Sequence, residues 1–134
     1  MNENKKIMIY SPTDGLIKPI SELNDGVFSE GMLGEGCFIK PTTDVFFSPF
    51  EKCKLLQIFD TKHAYFLESE DVKILIHIGL DTVILNGKPF ETFVKENDEL
   101  KLDTPIVKIN RNMIEEHNLS LDTPIVIDLN ENKG

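Results

Sequence analysis

Short apolar runs separated by turn-forming residues follow one another along almost the whole chain of 134 residues. The runs are rich in Ile, Val, Phe, Tyr and Leu, and several alternate apolar with polar positions, which is typical of half-buried β-strands. They occupy residues 6–10, 15–20, 36–41, 44–49, 54–59, 63–69, 72–79, 82–85, 105–109 and 124–129. Proline or the sequence Asp-Thr-Pro stands at the boundary of several runs, where it favours a turn. The pattern predicts a chain built of many short strands.

Helical patterns are few. Residues 110–118 predict a helix of one or two turns that begins at Asn110 or Asn112, because an asparagine side chain can cap the first amides of a helix. Residues 88–97 predict a second short helix. We therefore expect an all-β fold, an antiparallel β-sandwich or barrel with short helical segments, in a single domain over residues 1–134.

One short sequence, LDTPIV, occurs at residues 102–107 and again at 121–126. A duplicated site is one interpretation, but so short a string is too small for a repeat unit. We interpret both copies as strand entrances, where proline follows a turn and the next apolar residues enter the core.

Charge and composition narrow the classes of function. Apolar residues make up 40% of the chain, so a folded core is expected rather than disorder. The 23 acidic residues exceed the 14 basic ones and give a formal charge of −9. An acidic surface makes nucleic acid a poor partner and a protein with a basic patch a better one.

The sequence also indicates the cellular compartment in which the protein is expected. No apolar run is long enough for the apolar region of a signal peptide or for a membrane span. Cys37 and Cys53 are the two cysteines, and without an export signal we expect buried, reduced thiols rather than a disulfide. We expect a monomeric protein of the cytoplasm.

Two of the three histidines, His63 and His77, bracket one short segment. Between them, the polar residues 68–71 suit a hairpin loop. A hairpin symmetric about Glu70 places His63 opposite His77, with their Cβ atoms about 5 Å apart on one face. The same register pairs apolar residues on the other face, which is expected to lie in the core: Ala64 with Ile76 and Phe66 with Ile74. A slip of one residue would break both arrangements.

Facing imidazoles leave three interpretations open: a structural pair, a metal site, or nucleophilic and phosphoryl-transfer chemistry. A metal site needs further ligands, and neither His117 nor the cysteines stand in a suitable pattern. We therefore expect no metal within the chain, although His63 and His77 could bind zinc together with a carboxylate from a partner. Ring nitrogens about 3–5 Å apart cannot both be comfortably protonated, so at least one ring is expected to stay neutral near pH 7.

Two blocks of sequence carry a resemblance to a known family. TKHAYFLES at 61–69 and ILIHIGLDTV at 74–83 resemble the signature blocks of glucose-type enzyme IIA, a phosphocarrier of the bacterial phosphoenolpyruvate-dependent sugar phosphotransferase system. Sequences at 11–17, 27–41 and 123–127 agree with the family in the same order. The resemblance implies an antiparallel β-sandwich with His77 as phosphoacceptor and His63 as the residue that helps hold the phosphoryl group. It further implies that Thr61 hydrogen-bonds within the site and that Asp81 lies near the acceptor.

The resemblance also implies partners. It implies an apolar rim for docking, formed here by Phe28, Phe59, Leu75 and Val83. The implied phosphoryl donor is the histidine carrier HPr, and the implied acceptor is a cysteine on a separate IIB/IIC sugar permease, with no cofactor required. The residue chemistry agrees, since a neutral imidazole is nucleophilic near pH 7 and phosphoryl transfer needs mainly positioning and charge stabilisation. Asp81 would orient an imidazole N–H in such a site, or form an ordinary Asp-Thr turn.

Two other functions stay open. One is a regulatory binding module that docks other enzymes or permeases and is switched by phosphorylation, with little role in transport. The other is a lipoyl-type carrier modified on Lys62, because DTKHA at residues 60–64 faintly resembles the lysine hairpin of such carriers. The second leaves both histidines unexplained.

The chain departs from the family pattern at several turns. Residues 68–71 lack the usual glycine and form a shorter loop, and other family glycines are replaced by Thr43, Lys52, Asn97 and Asp103. Asparagine and aspartate tolerate positive φ better than most residues. Lys52 is the replacement expected to be hardest to accommodate.

Overall fold

The computed structural model describes residues 7–23 and 35–129, and most of the regular elements in them are short strands. In chain order these are β1 Gly15–Pro19, β2 Glu35–Pro41, β3 Val45–Phe47, β4 Lys52–Ile58, β5 Ala64–Ser69, β6 Val72–His77, β7 Phe90–Thr92, β8 Glu99–Lys101, β9 Pro105–Ile109 and β10 Thr123–Leu129. An α-helix, α1, spans Arg111–Glu116, and 3₁₀ helices span Ile20–Glu22 and Thr82–Leu85.

The strands within the described residues form two sheets. One has seven strands in the order β1-β2-β10-β6-β5-β4-β8, and the other has three in the order β3-β9-β7. All of the ladders are antiparallel. The predicted all-β antiparallel fold with short helical segments is therefore confirmed.

Both sheets contribute side chains to one main apolar cluster. In β2 and β10, Ile39 and Ile125 belong to this cluster, while Phe38 and Val126 belong to a second, smaller cluster. Successive residues of a strand point to opposite faces, so these two strands are covered by apolar side chains on both faces. This explains why β10 reads as a continuous apolar run instead of an alternating one.

The helix prediction for residues 110–118 is confirmed in α1. The Asn110 side chain accepts a hydrogen bond of 3.1 Å from the Met113 amide, which is the N-cap contact expected from the sequence. Both copies of LDTPIV lead into strands, β9 and β10, as interpreted from the sequence.

Two predicted strands are wrong. Residues 7–10 form no strand, and residues 82–85 form a 3₁₀ helix. The helix lies between Asp81 and Asn86, whose φ angles of 63° and 56° are left-handed. A strand cannot continue through such residues, and a short apolar run does not by itself distinguish a strand from a helical turn.

The helix predicted over residues 88–97 is also wrong. Phe90–Thr92 form β7, in which Phe90 pairs with Ile109 of β9 and is 6% exposed. Pairing with β9 and burial of Phe90 in the core outweigh local helix preference here. The sequence pattern also missed β8, a three-residue strand that is held by pairing with β4.

No helix in the described part of the chain is long and apolar enough to cross a membrane.

Candidate functional site

The candidate site lies at the open end of the β5–β6 hairpin, opposite its turn. The ladder pairs Ser69 with Val72 at the turn and Ala64 with His77 at the open end. Only Glu70 and Asp71 lie between the two strands, and Glu70 has a left-handed φ of 55°. Two-residue hairpin turns favour such left-handed residues.

The predicted register is therefore wrong by one residue. A hairpin centred on one residue has an odd loop, whereas this turn has two residues. Tyr65 pairs with Ile76 and Leu67 with Ile74, and these four side chains are buried. Phe66, which was assigned to the core, instead lies on the other face, where it pairs with Leu75 and is partly exposed.

The two imidazoles nevertheless lie together. Their ring centroids are 4.7 Å apart and their planes are nearly perpendicular, at 85°. His77 is the last residue of β6, whereas His63 comes just before β5, where its carbonyl accepts a hydrogen bond of 2.7 Å from the Ile78 amide. Lys62, with a φ of 59°, precedes His63 and closes a turn through a bond of 2.7 Å from its amide to the Phe59 carbonyl. The expected proximity of the rings is confirmed.

His77 is oriented by a backbone carbonyl. Its Nδ1 lies 3.0 Å from the carbonyl oxygen of Gly79. A carbonyl only accepts hydrogen bonds, so Nδ1 donates and the neutral ring carries its lone pair on Nε2. A Cβ at position 79 would lie 2.5 Å from Thr82 Cγ2 and 2.8 Å from the Ser120 carbonyl oxygen. Glycine is therefore required where the chain turns to present this carbonyl.

His63 is buried and neutral. Its side chain is 6% exposed, and its Nδ1 lies 2.5 Å from Thr61 Oγ1. The Phe59 ring contacts it edge to face, with centroids 5.8 Å apart. Burial, together with the charge of the neighbouring His77, lowers the pKa of His63 from 6.5 to about 4. One member of the pair therefore stays neutral at pH 7, as the sequence predicts.

Asp81 lies at the turn that follows β6 in the chain, four residues after His77. It is exposed, has a φ of 63°, and its carbonyl accepts a bond of 3.3 Å from the Ile84 amide. The Nδ1–H of His77 donates to Gly79, so the orienting partner seen at that nitrogen is a carbonyl and not the Asp81 carboxylate. The contact between His77 and the Gly79 carbonyl is not predictable from the sequence, in which Gly79 is marked only by its position two residues after the histidine.

The structure describes three of the four residues expected in the apolar rim. Phe59 is half-buried beside His63 and Phe66, while Leu75 packs against the smaller apolar cluster. Val83 is exposed by 44%. Phe28 lies outside the described residues. Sequence analysis missed Ile84, which follows Val83 and is 61% exposed, because the run was read as a strand.

No group of three or more His, Cys, Asp or Glu side chains is placed to hold a metal ion within residues 7–23 and 35–129.

Two imidazoles in contact at the end of an antiparallel hairpin form a candidate site for nucleophilic or phosphoryl-transfer chemistry. A model of the family described as phosphoenolpyruvate-dependent sugar phosphotransferase system, EIIA 1, matches residues 7–133. The chain belongs to this family, and the resemblance seen in the two histidine blocks is confirmed.

Individual relatives agree. The chain is 40% identical over 125 residues to the "PTS system glucose-specific EIIA component" of Staphylococcus epidermidis, covering 92% of this chain and 75% of that protein. It is 46% identical over 121 residues to the "PTS system glucose-specific EIICBA component" of Staphylococcus carnosus, of which it spans only 18%. The solved structure of glucose permease IIA from Mycoplasma capricolum superposes with a TM-score of 0.89 at 37% identity, covering 98% of this chain and 85% of that one.

Proposed function

We propose that the protein is a phosphocarrier that accepts a phosphoryl group on Nε2 of His77 from phosphorylated HPr. It passes the group to a cysteine of a IIB domain, which phosphorylates the incoming sugar. The observation that carries the proposal is the histidine pair itself, with its ring centroids 4.7 Å apart and His77 oriented by the Gly79 carbonyl.

The hydrogen bond to Gly79 supports Nε2 of His77 as the nucleophilic atom of this proposal. With the hydrogen on Nδ1, the lone pair of Nε2 attacks phosphorus as the bond from phosphorus to the donor imidazole of HPr breaks. A phosphorus–nitrogen bond is thereby formed on His77, and HPr recovers its imidazole. A thiolate of the IIB domain then attacks the same phosphorus. The bond from phosphorus to Nε2 breaks, and His77 is recovered as a neutral imidazole.

His63 and Thr61 position the transferred group. If the Thr61 hydroxyl donates to Nδ1 of His63, the hydrogen of the neutral ring lies on Nε2 and can be donated to a phosphoryl oxygen. Burial keeps the His63 ring uncharged near pH 7, so it acts as a hydrogen-bond donor and adds no repulsion to a protonated His77. Phosphoryl transfer is served mainly by such fixed donors.

The surface beside the pair suits protein partners. Phe59 borders His63, and the side chains of Val83 and Ile84 are exposed by 44% and 61% on the turn that follows His77. Apolar side chains of this kind form the centres of transient interfaces. The partners we propose are HPr and a IIB/IIC sugar permease, since the relatives from S. carnosus are named as EIICBA components.

The test is phosphorylation by phosphoenolpyruvate, enzyme I and HPr, followed by intact-mass analysis. We expect the gain of one phosphoryl group that is lost in acid and kept in base, as phosphohistidine is. His77→Ala should abolish it, whereas Thr61→Ala should keep it at a reduced rate. His117→Ala is the matched control, since His117 is exposed at the end of α1.

Labelling that survives intact in His77→Ala would overturn the assignment of the acceptor. No gain of mass with a competent HPr would favour the regulatory binding module instead.

A further inference from the structure

A cleft of about 500 Å³ lies on a part of the surface to which neither His63 nor His77 contributes. It is bounded by the outer side of the three-stranded sheet, by the start of α1 and by the segment before β7. Its charged and amide side chains are those of Asp44, Lys88, Glu91, Lys108, Asn110, Arg111 and Asn112. None of the proposed site residues lines it.

The three cations of the cleft differ in how they are paired. Arg111 is held by Asp44, with Nε 2.9 Å from Oδ1, and its Nη2 donates to the Thr43 carbonyl at 3.1 Å. Across the described residues, neither Lys88 nor Lys108 has a carboxylate within 4.0 Å. Two ammonium groups are thus available in a chain whose formal charge is −9.

Lys108 neighbours the carboxylate of Glu91 but forms no ion pair with it within the described residues. It pairs with Glu91 across the β7–β9 ladder, so the two side chains leave the sheet side by side. No ion pair joins them within the described part of the protein. The Lys108 ammonium can therefore meet a ligand in the cleft without first giving up an internal partner.

The amide and guanidinium groups of the cleft also offer N–H donors to a ligand. Asn110 uses its side-chain oxygen to cap α1, so the group it retains for a ligand is its NH₂. Arg111 has five N–H donors and uses two of them in the contacts with Asp44 and Thr43. Among the lining side chains, Glu91 is the one carboxylate without an ion pair in the described residues.

We propose that this cleft binds a small phosphomonoester or phosphate dianion. Two negative charges balance the two lysines that lack internal partners, and the phosphoryl oxygens accept hydrogen bonds from the Asn110 amide and Arg111 guanidinium. The binding is independent of phosphorylation at His77, so the cleft is a separate ligand site on the same molecule.

The test is a titration of the ¹⁵N-labelled, unphosphorylated protein with inorganic phosphate and with glucose 6-phosphate, followed by NMR. Sodium chloride at matched ionic strength is the reference. We expect saturable shifts of the amides of Lys88, Lys108 and Asn112, and weaker binding as salt is added.

Lys108→Gln should weaken binding about fivefold, and the double change Lys88→Gln/Lys108→Gln should remove saturation. Glu91→Gln should tighten binding about threefold.

Lys95→Gln is the matched control, because Lys95 is exposed, carries the same charge and does not line the cleft. Equal loss of affinity in Lys95→Gln would overturn the proposal, since the effect would then be one of net charge. Shifts confined to residues around His63 and His77 would also overturn it, as would shifts reproduced by sodium chloride. Saturation by inorganic phosphate and not by glucose 6-phosphate would restrict the ligand to the free ion.

Discussion

The two histidines of the site differ in their surroundings although their rings are in contact. His63 is almost completely buried, with Phe59 on one side and Thr61 at its Nδ1. His77 is partly exposed and held by the Gly79 carbonyl. These surroundings fit a division of roles in which the exposed ring reacts and the buried ring supports it.

Burial of His63 makes folding stability depend on pH. Its pKa is about 4 in the folded protein and about 6.5 when it is unfolded. Between these two pKa values, the unfolded chain binds a proton at His63 and the folded protein does not. The stability that this difference contributes is fully present above about pH 6.5 and is lost as the pH falls through about 4.

We expect the free energy of unfolding to fall by about 2 kcal/mol more in the parent protein than in His63→Gln between about pH 7 and about pH 4.5. Urea unfolding of both proteins at the two pH values measures the difference. Carboxylates titrate in both proteins, so their effect cancels in the comparison. Equal losses in the two proteins would show that His63 is not held neutral by the fold.

At the scale of elements, the turns decide how the strands meet. Among the replacements of family glycines, Asn97 and Asp103 have left-handed φ angles of 76° and 67°. Lys52 is not left-handed and begins β4, where it pairs with Lys101. The replacement that looked hardest to accommodate therefore lies in a conformation that suits lysine.

This difference predicts opposite effects of glycine. Asp103→Gly should leave stability unchanged or raise it by about 0.5 kcal/mol, because glycine adopts positive φ without strain. Lys52→Gly should lower it by about 0.5–1 kcal/mol, because glycine loses more backbone entropy in a strand. Urea unfolding measures both, and Lys52→Ala separates the backbone effect from the loss of the side chain. A stabilising Lys52→Gly would contradict the strand assignment at this position.

At the scale of the whole molecule, the net charge of −9 favours encounter with a basic partner. Oppositely charged surfaces raise the association rate more than they raise affinity. We expect the second-order rate of phosphoryl transfer from HPr to fall by on the order of tenfold when salt rises from about 0.02 M to about 0.2 M. Rapid-quench kinetics at limiting protein concentrations measure this rate.

The control for the salt effect is the single-turnover rate at saturating HPr, which should change little because the chemistry takes place in a docked complex. A second-order rate that does not respond to salt would show that the acidic surface has no part in the encounter.

Much of the fold could be predicted from the sequence, because it rests on local features. Alternating apolar runs with turn residues between them indicate strands wherever they are long enough, as at 72–77 and 105–109. The Asn110 cap could likewise be predicted, since its hydrogen bond spans only three residues. The candidate histidines could be chosen because His63 and His77 lie in two recognisable blocks.

Other features were decided by the tertiary structure, because they depend on contacts between distant residues. Pairing of Phe90 with Ile109 turned a predicted helix into β7, and the two-residue turn at Glu70 shifted the hairpin register by one residue. The rings of the two histidines nevertheless lie 4.7 Å apart, although the His63 carbonyl accepts its hydrogen bond from the Ile78 amide and not from His77. Chain sequence specifies which groups are present and their local conformational preferences. Their final spacing follows from how the sheets bury their apolar faces together, which no local pattern contains.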